Sequence, residues 1–209
     1  EHGTPDIIYS HYLTTSYVAT LLKKKWNIPL VAIEHWSEIN KDKLNSWVKK
    51  VGQLTYNNVD RLISVSLSLQ DRIVQHFGVN SLVIHNMVGA DFFNQKNKFN
   101  FDGKIRFVTT GRLVYGKGFD LLPRAFAKLN LPKEKWEMNI IGGGEEYDNL
   151  QKQINELKLQ DNIHLLGQKT KAEVVDILKI SNAFILPSRA ENFSVAVLEA
   201  LACGLPVIS

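Results

Sequence analysis

The chain holds one cysteine in 209 residues, Cys203. No internal disulfide can form, and a reducing compartment fits. The six histidines are His2, His11, His35, His76, His85 and His164, and none shares an HxH, HxxxH or HExxH spacing. Asp-x-Asp is missing too, so no metal site is expected. No apolar run reaches bilayer-spanning length. The net charge of +4 is spread along the chain, and Lys23-Lys24-Lys25 is too short to serve as a nucleic-acid arm. No Walker-type phosphate loop and no signal peptide occur. The chain opens on Glu1 rather than Met and stops at Ser209 straight after an expected strand. Both ends read as cut, so missing targeting signals carry no weight.

What is present is ordinary for a soluble domain able to bury a core: 44% hydrophobic and 22% charged residues. Short β-branched runs alternate with helical spacing. Strands are expected at 6–10, 29–34, 61–66 and 81–85, with helices at 14–26, 38–58 and 68–77 between them. Residues 86–103, rich in Asn, Gly and Phe, break the rhythm and read as a linker region. The alternation then restarts with strands at 104–109, 136–141, 162–166, 183–187 and 205–209, and helices at 118–129, 145–157, 170–180 and 194–203. Continuous apolar strands with intervening helices imply parallel sheets covered on both faces. The expectation is α/β with two doubly wound halves: 1–93, a linker at 94–103, and 104–209. Ligands of such folds sit at the carboxyl ends of strands.

Three motifs stand at such ends. In "TTGRLVYGKGFDLL" (109–122), Arg112 and Lys117 follow a strand, beside Gly111 and flanked by Gly116 and Gly118. Two cations and a helix opening near Gly118 suit a diphosphate; two solvated cations in an ordinary βα loop fit the same pattern. In "IIGGGEEYDNL" (140–150), Gly142 and Gly144 supply G-x-G, but the third glycine's place is taken by Tyr147, so the dinucleotide fingerprint fails. A tight turn against a ring or phosphate remains open. In "SRAENFSVAVLEALACGLPVIS" (188–209), Ser194 and Gly204 bracket a short helix that is apolar almost all round and expected to be buried or ligand-covered. Glu199 stands off its main apolar face. A buried carboxylate needs hydrogen bonds, which a sugar diol or a core cation could each supply. Glu191 precedes this helix. His11 and His35 each follow a strand in the first half, expected to point at the cleft between halves.

Together these segments resemble the retaining glycosyltransferases of family 4, which have the GT-B fold of two Rossmann-like domains. "GRLVYGKGFDLLPRAF" is similar to the family's GRL…KG segment. Glu191 and Glu199, eight apart and followed by "ACGLPVI", have the spacing of its paired-glutamate signature. "VIHNMV" carries Met87 where glycine is common, and "ENFS" departs from E-G-F-G at Asn192 and Ser194. The resemblance implies that both domains are incomplete here, the first lacking its opening strand and glycine loop and the second its end. It implies a donor of the nucleotide-diphosphate sugar type, UDP- or GDP-linked, bound without metal or other cofactor. Arg112 and Lys117 would hold the diphosphate and stabilise the leaving group. Glu199 would hold the ribose, and Glu191 the transferred sugar. Gly111, Gly142, Gly144, Asn192, Phe193 and Ser194 would complete the donor site. His35 would stand near the reacting centre, with His11 beside it on the acceptor side. The acceptor would be a glycan or lipid-linked, as in cell-surface polysaccharide or lipopolysaccharide synthesis. The implied location is cytoplasmic, with peripheral contact at the inner membrane face, and no nucleic acid is implied. The competing readings are a glycosidase using the two glutamates, a GT-B epimerase or phosphorylase, and a nucleotide-sugar-binding module without catalysis.

Overall fold

The computed structural model describes residues 3, 5–93 and 102–209. Most of the expected linker, residues 94–101, lies outside them. The chain divides into two compact units: residues 1–86 with Glu191–Phe193, and Met87–Ala190 with Ser194–Ser209.

The first unit is a four-stranded parallel sheet in the order β1-β2-β3-β4. Its strands are β1 (Ile8–His11), β2 (Leu30–Glu34), β3 (Arg61–Ser64) and β4 (Leu82–Val83), joined by helices α1 (Leu13–Trp26), α2 (Ser46–Tyr56) and α3 (Leu67–Phe77). Leu13, Ala32, Ile39, Val48, Leu69 and Ile73 form the heart of its core. The helical spacing expected from residue 38 begins only at Ser46. Asn45 caps that helix, its side-chain oxygen accepting from the Val48 amide at 2.8 Å. A single 3₁₀ turn, Ser37–Asn40, fills the gap and buries Ile39. Trp47 and Leu54 are about half exposed, and α2 turns Val48, Val51 and Tyr56 inward. The strand expected at 81–85 shrinks to two residues; the Ile84 amide still bonds Ser64 O at 3.0 Å, while His85 Nδ1 is within 2.9 Å of Val65 O.

The second unit is a five-stranded parallel sheet in the order β7-β6-β5-β8-β9. The strands are β5 (Ile105–Thr110), β6 (Trp136–Ile141), β7 (Ile163–Gly167), β8 (Ala183–Ile185) and β9 (Val207–Ile208). Its helices are α4 (Ala90–Phe93), α5 (Leu121–Phe126), α6 (Tyr147–Glu156), α7 (Lys171–Ile180) and α8 (Val195–Ala202). Thr170 and Glu173 close α7 with a reciprocal capping box. Two core layers, one around Trp136, Met138 and Ile140 and one around Val108, Leu178 and Phe184, cover the sheet. Helix α8 is less buried than its apolar sequence suggests. It packs on α4 and β9, burying Ala200, while Leu201 remains 54% exposed.

The strand order decides where chemistry can sit. From β5 the chain winds outward through β6 and β7, then crosses back to β8 and β9 on the other side. The reversal falls between β5 and β8, which pair through Phe107 with Ala183 and Val108 with Phe184. Such a reversal is the usual ligand position in a doubly wound sheet, and the loops leaving the carboxyl ends of β5 and β8 meet there, with Arg189 N donating to Gly116 O at 2.9 Å.

Candidate active site

The loop after β5 starts at Gly111 and ends at Asp120, the residue before α5. Its backbone is stitched to the glycine loop after β6. The Gly111 amide donates to Ile141 O at 2.9 Å, Leu113 to Gly143 O at 3.0 Å, and Glu146 back to Leu113 O at 3.0 Å. Gly142 and Gly144 are needed for this close passage. An ideal Cβ on Gly142 would lie 1.8 Å from Gly111 O, and one on Gly144 2.4 Å from Leu113 O. With φ of 144° and 158°, both also occupy backbone that L-residues rarely adopt. The G-x-G signal therefore has a structural cause in loop-on-loop packing.

A shallow cleft of about 340 Å³ opens at the ends of β5, β6 and β7, lined by Thr110, Gly111, Arg112, Gly142, Gly143, Gln168 and Lys169 among others. Arg112 lines this cleft, joined by Lys169, a cation the sequence motifs did not single out. Lys169 also reaches Glu173 at 3.3 Å. Lys117 does not line this cleft. It rides on a 3₁₀ turn, Tyr115–Lys117, that abuts the loop after β8.

The helix opening expected near Gly118 is not there. Gly118 takes a left-handed φ of 68°, which a helix cannot continue, and α5 begins at Leu121. Three of the amides around Gly118 already have partners. Lys117 N donates to Val114 O at 2.9 Å, Gly118 N to Tyr115 O at 3.1 Å, and Leu121 N to Gly118 O at 3.0 Å.

In the loop after β8, Ser194 caps α8 as expected, its Oγ accepting from Val197 N at 3.4 Å. Glu199 is half-buried, and burial raises its carboxyl above the usual range, against a weaker pull from Lys171. Among the described residues no ion pair to this carboxylate is found. The tripeptide Glu191–Phe193 belongs to the first unit by its contacts. Asn192 Nδ2 donates to His35 O at 2.9 Å and its Oδ1 accepts from Asn40 Nδ2 at 2.6 Å. Phe193 stacks on His85 with ring centres 4.7 Å apart, and its carbonyl accepts from Asn86 Nδ2 at 3.1 Å. Asn192, the departure from glycine, therefore has a side-chain task of its own. Glu191 is partly buried in the same segment.

Within the first unit the ends of β1 and β2 bring His11 and His35 together. His11 Nδ1 lies 3.3 Å from His35 Nε2, so one of the two nitrogens carries the hydrogen of that contact. Burial first, and the neighbouring His11 second, lower the His35 pKa, which keeps the ring neutral near pH 7. Tyr12 packs on His35 with ring centres 3.8 Å apart. Its φ of 63° and ψ of 150° is strained backbone for a residue with a side chain. The residue missed in the sequence is Glu34. It is 1% exposed, and its Oε1 accepts from the His35 and Trp36 amides at 2.9 and 2.8 Å while Oε2 accepts from Tyr56 Oη at 2.7 Å. It fixes the turn that presents His35. Only the packing of Tyr56 against its carboxylate reveals that role.

Residues 91–209 match the model of the family "Glycosyl transferases group 1". The chain belongs to this family. Residues 1–92 match the model "Glycosyltransferase Family 4". Among curated relatives, an uncharacterized glycosyltransferase of Methanocaldococcus jannaschii is 27% identical over 98% of this chain and 55% of its own length. The phosphatidylinositol N-acetylglucosaminyltransferase GPI3 subunit of Saccharomyces cerevisiae is 30% identical over 78% of this chain and 38% of its own. A D-inositol 3-phosphate glycosyltransferase of Rhodococcus jostii is 26% identical over 100% of this chain and 52% of its own. The chain thus spans about half the length of the curated relatives it matches. Among solved structures, Anabaena HepE with UDP and glucose superposes with a TM-score of 0.81 at 21% identity, covering 98% of this chain and 59% of that one. The fold is of the GT-B class. Among the described residues, no helix is long and apolar enough to cross a membrane.

Proposed function

We propose that the intact protein transfers a sugar from a nucleoside-diphosphate sugar to a carbohydrate or lipid-linked acceptor, with retention of anomeric configuration. One observation supports this reading: the loop carrying Arg112 and Lys117 leaves β5 at the strand-order reversal of a doubly wound sheet, the usual ligand end of such folds. In this reading Arg112 and Lys117 take the charge that develops on the leaving diphosphate, so no metal is needed for that role. Glu199, half-buried and raised in pKa, accepts from the ribose hydroxyls. Glu191 accepts from hydroxyls of the transferred sugar, and the neutral His35 with His11 serves the reacting centre and acceptor side.

UDP is the favoured nucleotide, because HepE has been solved with UDP and glucose and with UDP-glucose. A glycan or lipid-linked acceptor agrees with relatives named as a phosphatidylinositol N-acetylglucosaminyltransferase subunit and a lipopolysaccharide outer core galactosyltransferase. The protein would meet such an acceptor at the inner face of the membrane.

The test is a thermal-shift screen of the intact protein against UDP-, GDP- and ADP-sugars. A ligand at a hundred times its Kd adds about 2.7 kcal/mol to the folded state, so one nucleotide should raise the midpoint clearly. Arg112→Ala and Lys117→Ala should each erase most of that rise. No shift with any nucleotide sugar would end the donor-site reading. NMR of the anomeric product separates retention from inversion, and its identity separates transfer from epimerisation or phosphorolysis.

A further inference from the structure

We propose that Arg189 is the positioning residue for the Lys117 turn; this rests on the reading of Lys117 as a diphosphate ligand. Arg189 Nη1 donates to Asp120 Oδ1 at 2.7 Å and Nη2 to Oδ2 at 2.8 Å. Nη1 also donates to Tyr115 O at 2.7 Å, and the guanidinium lies 4.1 Å from the Tyr115 ring centre. The backbone joins in: Arg189 N donates to Gly116 O at 2.9 Å. One residue thus grips Tyr115 and Gly116 before Lys117, and Asp120 after it.

The other side of the turn is closed by Pro187. An ideal Cβ on Gly118 would lie 2.0 Å from Pro187 O, so the turn rests directly on the backbone leaving β8. By itself the turn is only a three-residue 3₁₀ segment, too short to be rigid alone. The Asp120 carboxyl is held below its usual range, first by its hydrogen bond from Arg189. Both side chains of the pair are 28% exposed, so the pair contributes geometry more than stability. A lysine could match the charge but not the planar fork or the stacking on Tyr115. A misplacement of about 1 Å in a group that meets the transition state can cost about a hundredfold in rate.

The test uses the intact protein with Arg189→Ala, Arg189→Lys, Asp120→Asn, Lys117→Ala and the double variant Arg189→Ala/Lys117→Ala. Two readouts are taken: kcat and KM for the nucleotide sugar, and hydrogen exchange at the Lys117 and Gly118 amides. Arg189→Ala and Arg189→Lys should each lower kcat/KM about 10- to 100-fold, in the same parameter that Lys117→Ala lowers. Both amides should exchange faster. The double variant should be no worse than Lys117→Ala within about twofold, because Arg189 acts through Lys117. A double variant showing the full product of the two single losses would overturn the proposal. So would unchanged exchange at both amides. If Arg189→Ala does not fold, Arg189→Lys and Asp120→Asn carry the same comparison. If the wild type neither binds nor turns over any nucleotide sugar, the donor reading fails by itself, and the exchange measurement still decides whether Arg189 holds the turn.

Discussion

Replacing Glu34 by alanine and by glutamine separates two things that its buried carboxylate does. Alanine strands three donors at once: the His35 and Trp36 amides and the Tyr56 hydroxyl. A stranded buried donor costs about 1–3 kcal/mol. The phenol is deeply buried and the two amides only partly, so the total is roughly 3–6 kcal/mol. Against about 5–15 kcal/mol for a whole domain, Glu34→Ala should unfold the first unit at far lower urea than wild type. Glutamine keeps Oε1 for both amides, but its Nε2 donates to Tyr56 Oη and leaves the phenolic hydrogen without that acceptor, so Glu34→Gln should cost about 1–3 kcal/mol, less than alanine. The two variants also differ in pH dependence. Burial raises the Glu34 carboxyl above the ordinary range, so the folded unit binds that proton more tightly than the unfolded chain. The associated stability is fully present below the ordinary carboxylate range and is lost as pH rises through the higher folded value. Glutamine has no such proton. Urea unfolding of wild type and Glu34→Gln across this window should show wild type losing ground to the variant as pH rises. If Glu34→Gln is as damaging as alanine, the hydrogen-bonding account of Glu34 is wrong; if the difference grows in the opposite direction, the hydrogen bonds outweigh burial and the pH account is wrong.

Gly142→Ala should destabilise the second unit. It places a methyl 1.8 Å from Gly111 O at a φ of 144°, and strain plus overpacking amount to about 3 kcal/mol; a melting point within about 3 °C of wild type would contradict this. Thr109→Val should stabilise the same unit by about 1 kcal/mol in urea unfolding, because the buried Thr109 hydroxyl has no partner. A loss of stability there would reveal a hydrogen bond to that hydroxyl.

The alternation of apolar runs and helical spacing was enough to place every strand of both sheets within a few residues. Burial on both faces forces continuous β-branched runs, and Ser194, Gly78 and Gly204 punctuate the helices by local preference alone. The paired glutamates, Arg112, Lys117 and the two histidines were legible because side-chain type and spacing are properties of the chain. The order of strands is not. Only the fold shows that β5 and β8 are neighbours, and therefore which two loops meet at the strand-order reversal. It also corrects the Lys117 segment. The left-handed Gly118 delays α5, and Arg189, 69 residues beyond Asp120, is the residue bonded to that carboxylate. Gly142 and Gly144 looked like ligand glycines, yet the neighbouring loop accounts for them, since close approach between backbones leaves no periodicity in sequence. Glu34 was silent for the same reason. Its three donors come from two residues beside it and one 22 positions away, and only folding brings Tyr56 to that carboxylate.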